Sequence, residues 1–377
     1  MIKVLHFFKT YYPDTTGGIE QVIFQLCKGN QAFGVESQVL TLSPDPFPAR
    51  LTIADHSVTR VKENFNVAST GFSLQAFKQF KQMAAEADLV HFHFPWPMMD
   101  LVHFATRHGR PTVLSYHSDI IKQRTLLKLY GPLMNRFLSS MDRILVASPN
   151  YLESSETLKP FADKTTVVPY GLDQSAYPTV STQKQEQWRK RVPDKFFLFV
   201  GVLRYYKGLD SLLSALEGVD YPLVILGGGP LEQALKAQAE KLQLRNVLFL
   251  GRLDDEDKTC LLQMCYALVF PSHLRSEAFG ISLLEASMCG KPMISCEIGT
   301  GTTFVNLHEE TGLAVAPNAP LALREALRRL WDNPQQARNF GSNAKARFQK
   351  LFTAERMCAA TTQVYRELLE PADVGDL

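Results

Sequence analysis

Short, almost wholly apolar runs punctuate this chain throughout, and each is followed by a longer stretch with helical periodicity. In the first half the runs are IKVLHFF, SQVLTL, DLVHFHF, PTVLSYH, RILVAS and TTVVPYG; in the second they are FFLFVG, YPLVILGGG, NVLFLG, ALVFPS, KPMISC and GLAVA. A strand that is apolar on both faces needs cover on both. Helices alternating with such strands supply it, so the pattern predicts an α/β fold with parallel sheets. At 377 residues the chain exceeds what one core usually serves, which predicts two domains. The polar, proline-punctuated stretch LDQSAYPTVSTQKQEQWRKRVPDK, residues 172–195, reads as the connector. We therefore expect a first domain over residues 1–175 and a second over 176–352. A helix over 353–370 has apolar positions that suit either domain, so packing back on the first and packing on the second both fit.

Charge and cysteine content exclude several classes. Forty Lys and Arg against 38 Asp and Glu give a formal charge of +2, too balanced for nucleic-acid binding by bulk electrostatics, so no nucleic-acid partner is expected. The six cysteines, Cys27, Cys260, Cys265, Cys289, Cys296 and Cys358, show no C-x-x-C spacing and read as reduced core residues rather than metal ligands. IKVLHFF turns polar too soon for a secretory leader, and no apolar run approaches the ~20 residues that span a bilayer. The expected location is the cytoplasm, with attachment to the inner membrane face at most.

In open parallel sheets ligands bind at the carboxyl ends of strands, and two facing sheets make a cleft between those ends. The residues there are Gly17 and Gly18 after the first run, His117 after PTVLSY, Arg204 and Lys207 after FFLFVG, Gly227 to Gly229 after YPLVIL, and Glu277 after ALVFPS. The stretch SEAFGISLLEASMCGKP, residues 276–292, sets Glu277 and Glu285 across a helix start. Free amides there hold a phosphate, and Gly280 lets the backbone come close. Were 277–285 wholly helical, the rise would be about 12 Å at about 1.5 Å per residue, the length of a pyrophosphate with a sugar at each end. One glutamate per sugar is the matching assignment. A helix capped by Ser276 or Glu277, with Glu285 solvated, fits the same residues.

The second half, from FVGVLRYYKGLDSLLSAL through LGGGP, LGRLDDED and YALVFPSHLRSEAFGISLLEASMCGKPMIS to TGLAVAP, resembles glycosyltransferase family 4. These are retaining enzymes of the GT-B fold, with two facing Rossmann-like domains. The resemblance implies that Glu277 binds the donor sugar and Glu285 the ribose, and that amides around Phe279, Gly280 and Ile281 hold phosphate and sugar. It implies that Arg204 and Lys207 stabilise the diphosphate leaving group in place of a metal ion, so no metal or other cofactor is expected. The usual pattern G-R-L-x-x-x-K-G is altered here: Val202 holds the arginine position and Arg204 follows two residues later. Gly227 and Gly229 correspond to a loop near the nucleotide, and Gly17 and Gly18 to a loop over the diphosphate. His117 corresponds to a histidine beside the donor sugar. Acceptance of the acceptor proton by the leaving phosphate would need no enzyme nucleophile, so Asp119 is given no such role.

The acceptor side is read from the residues. Trp96 offers a ring face and Asp100 a hydroxyl acceptor for a carbohydrate, although a proline-fixed loop around a core tryptophan fits as well. Residues 120–138 carry Lys122, Arg124, Lys128 and Arg136 among leucines, which suits either an anionic membrane surface or a core helix with solvated bases. KTYYPD, GGIEQV, HFPWPMMD, SYHSDIIKQ, VVPYGLD and LRYYKGLD most resemble the bacterial mannosyl- and rhamnosyltransferases of lipopolysaccharide O-chain assembly. Those enzymes imply a GDP-sugar donor and a glycan acceptor on undecaprenyl diphosphate. A nucleotide-sugar epimerase of the same fold and a non-catalytic nucleotide-sugar-binding protein are the alternatives. A dehydrogenase is disfavoured because no G-x-G-x-x-G follows the first strand.

Overall fold

The structure is a computed structural model that describes residues 1–67, 70–120 and 124–370. It divides into two compact units, Met1–Gly171 with the segment from Ala354, and Leu172–Thr353. The first division lies a few residues ahead of the one read from composition, at the end of VVPYG rather than inside the polar connector.

The first unit contains strands β1 (Ile2–Phe7), β2 (Val35–Ser43), β3 (Arg50–Ile53), β4 (His56–Lys62), β5 (Phe65–Val67), β6 (Thr70–Phe72), β7 (Leu89–Phe94), β8 (Thr112–Tyr116), β9 (Arg143–Val146) and β10 (Thr165–Val167). Eight of them form one sheet in the order β10-β9-β8-β7-β1-β2-β4-β3. It is parallel apart from β3, which runs antiparallel along the edge of β4. Among the described residues, β5 and β6 pair with each other in a separate two-stranded sheet. The helix Ala354–Leu369 belongs to this unit. It lies so close to the helix Gly18–Gly29 that a Cβ on Gly29 would sit 2.5 Å from Cys358 Sγ, and Arg366 donates to the Phe33 carbonyl.

The second unit holds β11 (Phe197–Val200), β12 (Leu223–Leu226), β13 (Val247–Gly251), β14 (Ala267–Phe270), β15 (Met293–Cys296) and β16 (Gly312–Val315). They form one parallel sheet in the order β13-β12-β11-β14-β15-β16. Its core packs Phe197, Phe199, Val269 and Ile294 against Leu212, Leu213, Leu327 and Leu330, residues that lie in helices or just after them, which explains why the strand runs carry almost no polar residue. The order reverses between β1 and β7 in the first unit and between β11 and β14 in the second. A crevice opens at the carboxyl ends of strands at each such point.

Candidate active site

In the second unit the loops after β11, β12 and β14 are held together by glycines. Gly227 has φ +134, and a Cβ there would stand 1.9 Å from the Gly201 carbonyl oxygen. A Cβ on Gly229 would come within 2.6 Å of the Leu203 amide nitrogen. These two glycines therefore serve close packing of one loop on the other. Gly208, at φ +67, brings the chain against the Pro271 carbonyl, which carries the preceding turn Tyr205–Lys207 to the end of β14. Lys207 is buried there over the ring of Phe270 and pairs with Glu277 at 2.5 Å. Ser272 donates to the same carboxylate oxygen at 3.2 Å. Arg204 stands exposed at the start of the turn.

The two glutamates divide differently from a single helical run. The helix covers only Ile281–Met288 and begins after Gly280, whose φ of +95 no side chain adopts easily. Glu277 lies on the preceding loop, and neither Ser276 nor Glu277 caps the helix. Nor is Glu285 solvated: it is 3% exposed, accepts from the Tyr177 hydroxyl at 3.0 Å and pairs with Lys258 at 3.0 Å. Burial works to lower the Lys258 pKa, but the Glu285 and Asp255 carboxylates outweigh it and raise it. Phe279 turns its ring inward against Gly301 and Phe352, so only its backbone belongs to the loop surface, and Ile281 supplies the first helical amide.

In the first unit Gly17 caps the helix Gly18–Gly29 in an extended conformation. Glu20, in the first turn, folds back over Gly17, where a Cβ would meet its carboxylate at 2.4 Å, and it accepts from Thr15 at 2.9 Å. That carboxylate already lies beside the amides that the sequence offers to a phosphate.

His117 follows β8, and its amide donates to the Phe94 carbonyl at the end of β7. Its side chain is buried with both ring nitrogens engaged: Nε2 lies 3.0 Å from His93 Nδ1, and Nδ1 lies 2.5 Å from the Tyr170 hydroxyl. Burial holds this imidazole at about 3, so it is neutral. Asp119 accepts from the Tyr116 and Ser155 hydroxyls, which employs its carboxylate in holding the loop.

Two acceptor expectations are corrected. Trp96 presents no ring face: it is fully buried against Phe7, and its indole N–H donates to the Gly71 carbonyl. Asp100 is also fully buried, accepts from the Tyr130 hydroxyl at 2.5 Å, and is pushed by burial up to about 8 against the effect of that bond. A neutral buried acid is no exposed sugar ligand.

The basic stretch lies on the helix Arg124–Ser140. Lys122 and the side chain of Arg124 lie outside the described residues. Phe137 and Leu138 are buried, whereas Lys128, Leu129 and Arg136 are exposed. Among the described residues, no helix is long and apolar enough to cross a membrane. The one group of three potential metal ligands among them is His6, His91 and His93, fully buried.

Sequence reasoning passed over Lys258, Tyr177, His6 and Tyr170. For the histidines a signal existed: HFH places His91 and His93 on one face of β7 by the period of two. The pairing of His6 with His91 across β1 and β7 is set by strand order, which spacing does not reveal.

Comparison with known proteins bears on the whole chain. Residues 16–176 match the family described as Glycosyltransferase Family 4, and residues 180–347 match Glycosyl transferases group 1. A D-rhamnosyltransferase, WbpZ, of Pseudomonas aeruginosa is 61% identical over 94% of this chain and 93% of its own. The O-antigen chain mannosyltransferase C of Escherichia coli is 50% identical over 98% of this chain and 99% of its own. Among solved structures, sucrose-phosphate synthase from Thermosynechococcus elongatus superposes with a TM-score of 0.79 over 98% of this chain and 99% of its own, at 22% identity.

Proposed function

The chain belongs to the glycosyltransferases of group 1 and family 4, with their GT-B fold, and on that premise we propose that it transfers an α-mannosyl or D-rhamnosyl residue, with retention, from a GDP-sugar to a lipid-linked oligosaccharide of O-antigen assembly. The sugar and the pathway follow the two relatives that share half or more of its residues. The observation that carries the donor half is the pair of the buried Lys207 with the half-buried Glu277 at the end of β14, followed within the same segment by the buried Glu285.

In this reading the amides from Phe279 to Ile281 and the ammonium of Lys207, with Arg204 beside it, take the diphosphate, where negative charge grows as the glycosidic bond breaks. No metal ion is required. Glu277 accepts from hydroxyls of the transferred sugar, Glu285 from the ribose, and His117 borders the sugar. Gly17 and Gly18 offer the first unit's helix-start amides to phosphate, at the place that the Glu20 carboxylate occupies. The leaving phosphate takes the acceptor proton. Trp96 and Asp100 are packed inside the first unit and do not touch the glycan. The exposed Lys128, Leu129 and Arg136 face an anionic membrane surface that carries the undecaprenyl-diphosphate acceptor.

Incubation with GDP- and UDP-sugars and a synthetic lipid-linked acceptor, read by product mass and anomeric configuration, tests this. An α-linked hexose or deoxyhexose from a GDP-sugar is expected. Exclusive use of UDP-sugars, inversion, or epimerised donor without transfer contradicts it.

A further inference from the structure

Beneath His117 the first unit carries a line of imidazoles that the reaction outlined above does not use. His6 Nδ1 lies 3.1 Å from His93 Nε2, His93 Nδ1 lies 3.0 Å from His117 Nε2, and His117 Nδ1 lies 2.5 Å from the Tyr170 hydroxyl. The rings of His93 and His117 are within 12° of parallel. At the inner end His6 Nε2 is buried with no hydrogen-bond partner among the described residues. His6 and His93 are fully buried. Burial is the main cause that holds His6 at about 3 and His93 well below the ordinary imidazole range.

We propose that His6 and His93 are positioning residues that set the tautomer of His117 through this unbroken chain of side-chain hydrogen bonds, so that His117 and Tyr170 act as one polarised unit.

The reasoning is an accounting of protons. A neutral imidazole has one N–H and one lone pair, so the proton position on any ring dictates that on the next. Only two settings join all the rings. In one, His6 Nδ1–H donates to His93, His93 Nδ1–H to His117, and His117 Nδ1–H to the Tyr170 oxygen. The lone pair of His6 Nε2 is then the group left without a partner. In the other, every bond reverses and His6 Nε2–H becomes a buried donor with no acceptor. Orphaned buried N–H groups are the rarer kind, so the first setting is assigned. It directs the Tyr170 proton away from His117, which makes the Tyr170 hydroxyl a donor toward whatever the outer end of the chain meets. Its relevance to catalysis rests on the reading that His117 borders the donor sugar, where a hydroxyl acceptor is at hand.

A metal ion on His6, His91 and His93 would compete with this account. His91 is already bonded through Nδ1 to the Tyr365 hydroxyl at 2.6 Å and through Nε2 to Ser115 at 2.8 Å, and both nitrogens of His93 lie in the chain. Three coordination bonds would therefore break an existing hydrogen bond at His91 and another at His93, which favours the relay.

The test is imidazole nitrogen NMR on the full chain with labelled histidine, beside transfer kinetics. In the wild type His117 is expected to carry its proton on Nδ1 alone; a proton on Nε2 overturns the assignment without any variant. His6→Leu removes the inner donor and should give His117 mixed tautomers, with kcat lowered about tenfold or more and donor KM little changed. His6→Asn, whose amide N–H can stand near the Nδ1 position, should restore both. An unchanged His117 tautomer in His6→Leu, or one tightly held zinc in the wild type that is lost in His6→Asn, overturns the proposal. Should the tautomers respond as expected while His117→Ala transfers sugar at the wild-type rate, the chain stands and the placement of His117 beside the sugar fails.

Discussion

The side chains gathered around His117 in the first unit are neutral imidazoles, where those around Glu277 and Glu285 in the second are charged pairs. Around His117 burial leaves uncharged imidazoles whose polarity is set by hydrogen bonds. Around Glu277 and Glu285 each carboxylate keeps a lysine partner. The contrast follows from the ligands proposed for the two sides. A diphosphate must be met by charge, and a lysine held by a carboxylate can be handed to the phosphate without first being stripped of water. The sugar hydroxyls proposed for the His117 side need only donors and acceptors in a fixed sense, which neutral rings supply.

The contrast breaks most readily at Lys207. Lys207→Ala should lower kcat/KM by about 10² to 10³, as loss of a group aimed at developing charge does, while Lys207→Arg recovers little, because Phe270 and Gly208 leave room for a slender ammonium stem. Steady-state transfer kinetics check both, and near-wild-type activity in the alanine variant removes the charge from the account.

The neutral side should fail first in acid. His6 and His117 have folded values near 3 against an ordinary 6.5, and His91 and His93 lie well below it too. The unfolded chain therefore binds protons that the folded chain refuses. Their contribution is complete above about pH 6.5 and declines as pH falls toward about 3, by up to ~1.4 kcal/mol per pH unit for each histidine. Hydrogen exchange at pH 7 and pH 5 should show opening energies falling in β1, β7 and β8 and holding in β11 and β14. Equal losses in both units would show that the histidines are not buried as neutral rings.

The smallest effect is the most specific: if lysine and arginine replace a metal at the diphosphate, excess EDTA should leave transfer unchanged. Activity lost to chelator and restored by Mg²⁺ or Mn²⁺ would remove the distinction between cationic side chains and a metal site.

How legible this was depended on burial. The strand runs of the second unit's parallel sheet stood out because helices cover its strands, leaving almost no polar residue to interrupt them. β4 did not, because its sequence HSVTRVK contains Arg60, a buried charge that pairs with Asp14 at 2.7 Å and reads as a polar loop. Trp96 misled for the opposite reason: two flanking prolines suggest an exposed loop, whereas the ring packs on Phe7. The spacing of Glu277 and Glu285 was visible, but their partners were not. Lys258 and Tyr177 reach Glu285 from separate segments, and no local pattern announces a contact made by the order of strands.

The central claim, that the two glutamates read different parts of the donor, is tested by calorimetry with GDP on Glu277→Ala and Glu285→Ala beside transfer kinetics, with melting curves to confirm that both variants fold. Glu285→Ala should lose about 1.5 to 3 kcal/mol of GDP affinity with its hydrogen bonds to ribose. Glu277→Ala frees Lys207 for the diphosphate, so its GDP affinity should equal or exceed that of the wild type while kcat/KM falls, most of all if its contact tightens in the transition state. Equal losses of GDP binding in the two variants, or wild-type transfer by Glu277→Ala, would contradict the division.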